Sequence, residues 1–239
     1  MPLPRRAHGR AALASLVLAL LAAPALAEGE RAPGRAPAGP VLAQAGAAPA
    51  RPATGLSEQA VLARANAYLN GFTMLSGDFV QLGGDGRRVV GRLYLQRPGR
   101  LRFDYDAPAT IEVVSDGSSM VVRDRKLATY DLYPISQTPL KFLTRERIDL
   151  ARDVKVTGAT SGPNGVQVQL EDSTTFGGTS KITLHFDPAV TALTRWSIVD
   201  PQGFQTTVQL ANLDTKTRVD PRAFDINFSR PISDVAPTR

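Results

Sequence analysis

Few residues in this chain have the types and spacing that enzymatic chemistry needs. The sequence contains two histidines, His8 and His185, and no cysteine. A Ser-His-Asp triad would have to use His185, because His8 falls in an N-terminal leader. His185 lies in "KITLHFDP", at an outward position of an alternating strand. There is no G-x-S-x-G turn. Zinc sites take several His, Cys or carboxylate ligands at short spacing, and no segment supplies them. "GGDGRR" (83–88) lacks the lysine and the following helix of a phosphate cradle, and reads as a hairpin turn. Glu171 and Asp172 are adjacent in a strand, so they point to opposite faces. Asp104 and Asp106 share a face, but it is the arginine-bearing face expected to meet solvent. Arg87, Arg88, Arg92, Arg100 and Arg102 with Tyr94 imitate a nucleic-acid surface, and the expectation is a solvated outer face. The chain is therefore expected to bind rather than catalyse, with no metal, no cofactor and no nucleic-acid partner.

One charged residue stands out of pattern. In "QRPGRLRFDYDAP" (96–108), Leu101, Phe103 and Tyr105 alternate with Arg100, Arg102 and Asp104. The same alternation places Arg97 on the apolar side, in line with Leu93 and Leu95. Facing residues of a hairpin lie on the same side of the sheet. Leu95 and Phe103 share that side only if the loop is odd. The expected register sets Arg97 opposite Leu101, with Pro98-Gly99-Arg100 between. A two-residue Pro-Gly turn would set Leu95 against Arg102. Arg97 is thus expected at the rim of an apolar surface, just before a proline that ends regular pairing.

The elements around it follow from composition and period. Arg5, Arg6 and Arg10 precede the uncharged "AALASLVLALLAA" (11–23) and the small-residue "ALA" (25–27). This is the pattern of a cleavable signal peptide over 1–27, with an N-terminal membrane anchor as the alternative. The leader takes three of the 28 basic residues and no acids. The remainder then has 25 against 22, a net charge of +3, which suits proximity to anionic lipid better than to nucleic acid. Residues 28–55 are rich in Ala, Pro and Gly and are expected to form a disordered linker. The folded domain is expected over 56–232, with a tail at 233–239.

"LSEQAVLARANAYLNG" (56–71) is a helix with Ser57 as N-cap and a stripe of Val61, Leu62, Ala65, Tyr68 and Leu69. A series of short alternating runs follows, from "MLSGDFVQL" (74–82) through "FQTTVQLANLDT" (204–215) to a last one, "AFDINFS" (223–229). Hairpin-length connections make the neighbours antiparallel. The break "YPISQTPLKFLTRERIDL" (133–150) is expected to hold a loop and one or two helical turns. The fold expected is mainly β: one curved, open antiparallel sheet of about 10–11 strands with short helices over its concave apolar face. The alternative is a β-sandwich. The candidate site is the apolar face itself, either hollow or packed.

"GRLYLQRPGRLRFDYDAP" (91–108), "VVSDG" (113–117) and "QTPLKFLTRE" (137–146), in this order behind a helix and a leader, resemble the LolA family of periplasmic outer-membrane lipoprotein carriers. The resemblance runs over most of 57–230. It implies a half-barrel whose hydrophobic cavity is lidded by helices. The cavity would be lined by Leu93, Leu95, Leu101, Phe103, Tyr105, Ile111 and Val113. Val61, Leu62, Leu140, Phe142 and Leu143 would belong to the lid. Arg97 matches the family's arginine, which hydrogen-bonds to the lid and is tied to cargo release. Leu101 takes a position that is often aromatic in the family. The resemblance further implies a monomer in the periplasm. Its partners would be acylated lipoproteins, an inner-membrane lipoprotein-releasing transporter and an outer-membrane acceptor. Two other expectations stand beside this one: a carrier or sensor of another lipid on the same fold, and a structural interaction module with a solid core.

Overall fold

The computed structural model describes residues 55–226. The expected leader, all but the last residue of the expected linker, and the expected tail lie outside them. Helix α1 spans Glu58–Asn70, and the Ser57 hydroxyl accepts from the Ala60 N–H as its cap. Val61, Ala65 and Leu69, four residues apart, form its buried stripe.

Eleven strands follow: β1 (Met74–Gly83), β2 (Arg88–Gln96), β3 (Arg100–Tyr105), β4 (Ile111–Asp116), β5 (Ser119–Asp124), β6 (Thr129–Pro134), β7 (Lys155–Gly162), β8 (Gly165–Thr175), β9 (Gly178–Phe186), β10 (Leu193–Val199) and β11 (Gln205–Asp214). They form one open antiparallel sheet in the order β6-β5-β4-β3-β2-β1-β11-β10-β9-β8-β7. Two meanders, β1–β6 and β7–β11, therefore join where β1 pairs with β11. Between them in sequence lie a 3-10 turn at Ile135–Gln137, helix α2 (Lys141–Thr144) and helix α3 (Leu150–Asp153). The broken segment thus carries three helical turns.

The inward residues of both meanders form a single apolar cluster, joined by Val61, Ala65 and Leu69 of α1 and by Leu140, Phe142, Leu143, Ile148 and Leu150. Period-2 alternation explains which residues face it. In β2, Gly91, Leu93 and Leu95 are buried while Arg92 is exposed. Gly91 lies between Phe79 of β1 and Tyr105 of β3. The absence of a side chain lets those two rings meet edge to face at 5.2 Å. A Cβ at this position would sit 2.1 Å from the Asp104 carbonyl oxygen. Gly91→Ala is therefore expected to cost about 1–3 kcal/mol, measured as a lower urea midpoint with an unchanged slope. An unchanged midpoint would mean that β3 yields to the methyl without cost.

Three expectations are corrected. The β2–β3 hairpin pairs Leu95 with Leu101 and Leu93 with Phe103. The face assignment holds, but the loop is Arg97-Pro98-Gly99 rather than Pro98-Gly99-Arg100. Gly99 makes this placement of the turn possible: it adopts φ +72 and lies so close to Gly117 that a Cβ would sit 2.2 Å from the Gly117 carbonyl oxygen.

The run beginning at Ala223 does not start as a strand. Pro221–Phe224 is a 3-10 turn that begins on a proline, which has no N–H to satisfy, and the Asp220 carboxylate accepts from the Arg222 N–H. The rest of "AFDINFS" beyond Ile226 lies outside the described residues. That turn packs on the outer face of β3 and β4, where Phe224, Val114 and Val121 are all buried. It also overturns the solvated reading of Arg102, which is only 3% exposed. Arg102 donates to the Ala223 carbonyl and pairs with Glu112 at 3.1 Å and Asp104 at 3.3 Å.

Candidate functional site

Arg97 follows the last ladder residue of β2. Its N–H donates to the Thr73 carbonyl at 2.8 Å, which keeps it in the inward register of Leu93 and Leu95. The side chain is 8% exposed. Its Nε–H donates to the Leu143 carbonyl at 2.8 Å. Nη1 donates to the Leu69 carbonyl and, at 3.2 Å, to the Phe72 carbonyl. The guanidinium carbon lies 4.6 Å from the centre of the Phe72 ring. Leu69 belongs to the last turn of α1, whose carbonyls lack helical partners and carry the negative end of the helix dipole. Leu143 lies in α2. One side chain from the sheet thus ties two lid helices together through main-chain carbonyls. Burial lowers the Arg97 guanidinium to about 10, so it remains a cation at neutral pH. The adjacent Gly99 N–H donates to the Thr144 carbonyl at 2.8 Å, fixing the turn itself to the end of α2.

Polar side chains hold the lid at other points. Asn66 and Asn70, one helical turn apart on α1, accept from Leu150 N and Ile148 N, each at 3.0 Å. Asn70 also donates to the Ile148 carbonyl at 2.7 Å. At the start of α2, the Lys141 ammonium lies 2.6 Å from one Asp172 oxygen and 2.8 Å from the other, and it contacts the Thr174 hydroxyl. The Lys141 and Asp172 side chains are 4% and 2% exposed. The β8–β9 turn meets the other end of the segment: Phe176 N donates to the Gln137 carbonyl at 2.8 Å, and its ring meets Tyr133 at 5.9 Å.

Beneath these elements lies the apolar face. Leu93, Leu95, Leu101, Phe103 and Val113 are buried in the cluster, and Tyr105 and Ile111 pack against it half-buried. On the lid side Val61, Leu140, Phe142 and Leu143 are buried and Leu62 is half-buried. The structure therefore brings all these residues together in one cluster. Lid and floor side chains belong to the same buried cluster. Burial raises the Tyr105 phenol well above its ordinary range, opposed by a 2.9 Å hydrogen bond to Gln81.

Residues 70–227 match the family model of the outer membrane lipoprotein carrier protein LolA. The chain belongs to the LolA family. The outer-membrane lipoprotein carrier protein of Methylococcus capsulatus is 26% identical over 177 residues, covering 70% of this chain and 83% of that protein. The carrier protein of Chromobacterium violaceum is 33% identical over 75 residues, covering 30% of this chain and 36% of that protein. A crystal structure of a LolA superfamily protein from Nitrosomonas europaea aligns with 72% of this chain and 98% of its own at 10% identity, with a TM-score of 0.41.

Several members of the cluster in this LolA-family chain were not singled out from sequence. Phe79 and Leu75 of β1 and Trp196 of β10 are among the largest fully buried side chains. Their strands alternate like the others, and that alternation was the available signal. Trp196 meets Phe142 of the lid at 5.9 Å and Phe103 of the floor at 6.5 Å, both edge to face. The Lys141–Asp172 pair was also missed, because nothing local links residues that belong to different elements. His185, weighed above for catalysis, lies beside Arg195, whose Nη2 is 3.2 Å from its Nδ1. Burial first, and that cation second, lower its pKa. Among the described residues no group of three or more His, Cys, Asp or Glu is placed to hold a metal ion. No helix among them is long and apolar enough to cross a membrane.

Proposed function

We propose that this protein is a periplasmic carrier that shields the acyl chains of lipoproteins in its concave apolar face and moves them from the inner to the outer membrane. LolA-family proteins are carriers rather than enzymes, which supports the general class. The observation that carries the reading is the position of Arg97, a buried cation bonded to lid carbonyls directly above an apolar floor.

The energetics explain why such a bond belongs in a carrier. Burying an acyl chain is worth about 0.8 kcal/mol per CH₂. Two or three chains would approach tens of kcal/mol, and a site that captured all of it would never release. A closed state in which the lid already covers the floor lowers the net gain, because cargo must displace the lid. Hydrogen bonds to a charged group contribute about 1.5–3 kcal/mol each, so the Arg97 contacts weight that closed state appreciably. On this reading 1–27 is the export signal and 28–55 a tether. The protein receives cargo from a lipoprotein-releasing transporter and hands it to an outer-membrane acceptor.

Mass spectrometry of material co-purifying with the protein from a periplasmic extract tests this. Triacylated peptides are the expected result. Free phospholipid instead would favour a lipid carrier on the same fold. Absence of any acyl species, together with failure to bind a solvatochromic fatty-acyl probe, would overturn both.

A further inference from the structure

The Trp196 side chain is fully buried, and its single polar atom, Nε1, has no hydrogen-bond partner among the described residues. Gln96 Oε1 is buried without a hydrogen bond as well, on a half-buried residue, and the buried unbonded atoms of Arg97, Arg102 and Asp172 belong to side chains whose other polar atoms are engaged in bonds or ion pairs. Trp196 has no such compensation, since an indole offers one N–H and no acceptor. A buried donor left unpaired is costly, and phenylalanine at the same place would avoid that cost.

The surroundings indicate what the donor is for. Trp196 faces inward from β10, between Leu184 of β9 and Val208 of β11, both fully buried. Its ring neighbours are Phe103 on the floor and Phe142 on the lid. Phe142 belongs to α2, the helix that Arg97 holds down through Leu143. Movement of α2 with an opening lid removes one aromatic neighbour and leaves a lone donor in an apolar concavity.

We infer that the Trp196 Nε1–H donates a hydrogen bond to the carbonyl oxygen of an ester- or amide-linked acyl chain once the lid carries Phe142 away. The inference rests on the carrier reading and sharpens it. The apolar floor accepts any hydrocarbon, whereas the indole selects chains that bring a carbonyl group with them. It also fixes depth, because the carbonyl end must stop at Trp196 while the methyl end runs on.

The full chain can be titrated with methyl laurate, N-methyl lauramide and tridecane, which offer an ester, an amide and neither. The expected result is tighter binding of the two carbonyl ligands by about fivefold, the worth of one hydrogen bond. Trp196 is the only tryptophan, so its indole N–H gives one nuclear magnetic resonance signal. That signal should move downfield with ester and amide and not with tridecane. In Trp196→Phe the ratio between carbonyl and hydrocarbon ligands should fall to about one. A loss of affinity equal for all three ligands would mark a purely packing role and overturn the inference. So would wild type binding all three alike without the indole shift. A shift with the ester alone would assign the contact to glyceryl-ester chains, and one with the amide alone to an N-acyl chain. If none of the three binds to wild type, the carrier reading itself fails.

Discussion

Arg97→Leu is expected to load acylated peptide at least as well as wild type and to release it roughly tenfold or more slowly. Leucine cannot bond the carbonyls of Leu69, Phe72 and Leu143, which Arg97 now holds. The closed state then loses one or more charge-assisted bonds, each worth about 1.5–3 kcal/mol. Every 1.4 kcal/mol corresponds to about a tenfold change. The cargo-bound state loses nothing if the lid has already left Arg97. Leucine also adds apolar surface at the rim, which favours retention. The measurement is transfer of a fluorescent triacylated peptide from the loaded protein to outer-membrane vesicles. Transfer as fast as wild type would remove Arg97 from the release mechanism. Arg97→Lys separates charge from geometry, because a single ammonium cannot span three carbonyls as the planar guanidinium does. An intermediate rate is expected for it.

The largest loss of stability is expected from Asp172→Ala. Lys141 and Asp172 come from α2 and β8, 31 residues apart, and both are nearly excluded from water. Removal of the carboxylate leaves an ammonium in an apolar setting with the Thr174 hydroxyl as its remaining contact. Breaking a buried pair from one side typically costs about 3–5 kcal/mol. The cost should appear as a lower urea midpoint. It should also appear as faster amide exchange in α2, since lifting that helix is the direct way to rehydrate the lysine. The double variant Lys141→Met, Asp172→Leu should recover most of the loss, because two apolar groups of similar volume carry no buried charge. A loss below about 1 kcal/mol in the single variant would show that the ammonium reaches water without moving the helix.

The legible parts of this molecule were those with a local period. Alternation in "GRLYLQ" and "RLRFDY" was enough to assign Leu93, Leu95, Leu101 and Phe103 to one face, and the structure buries all four. The helical stripe of α1 was equally clear. Parity also carried Arg97 to the inner side. It could not decide between two three-residue loops whose pairing registers differ by two residues, because both keep every side chain on its face. The choice fell to the close approach of Gly99 to Gly117, a contact between separate turns. Arg102 had the pattern of a solvated residue, and its burial depends on a turn beginning at Pro221. The Lys141–Asp172 pair and the unpaired indole of Trp196 are tertiary facts of the same kind. A strand pattern marks Asp172 and Trp196 as inward without naming what they meet.

The pairing of β1 with β11 has a kinetic consequence. Ser76 lies opposite Asp214, so the central seam of the sheet is a contact between distant parts of the chain. Contacts of such sequence separation form late, after loop entropy has been overcome. The β1–β6 meander can assemble from near neighbours as it emerges, and α2 and α3 emerge next. Part of the surface those helices cover, including Trp196, does not yet exist at that moment. Leu140, Phe142 and Leu143 are then sticky groups waiting for a partner surface, a condition that exposes a nascent chain to aggregation. A chain folding as it emerges would spend its most vulnerable interval between residue 144 and the arrival of β11, and the seam would be the last stitch to close.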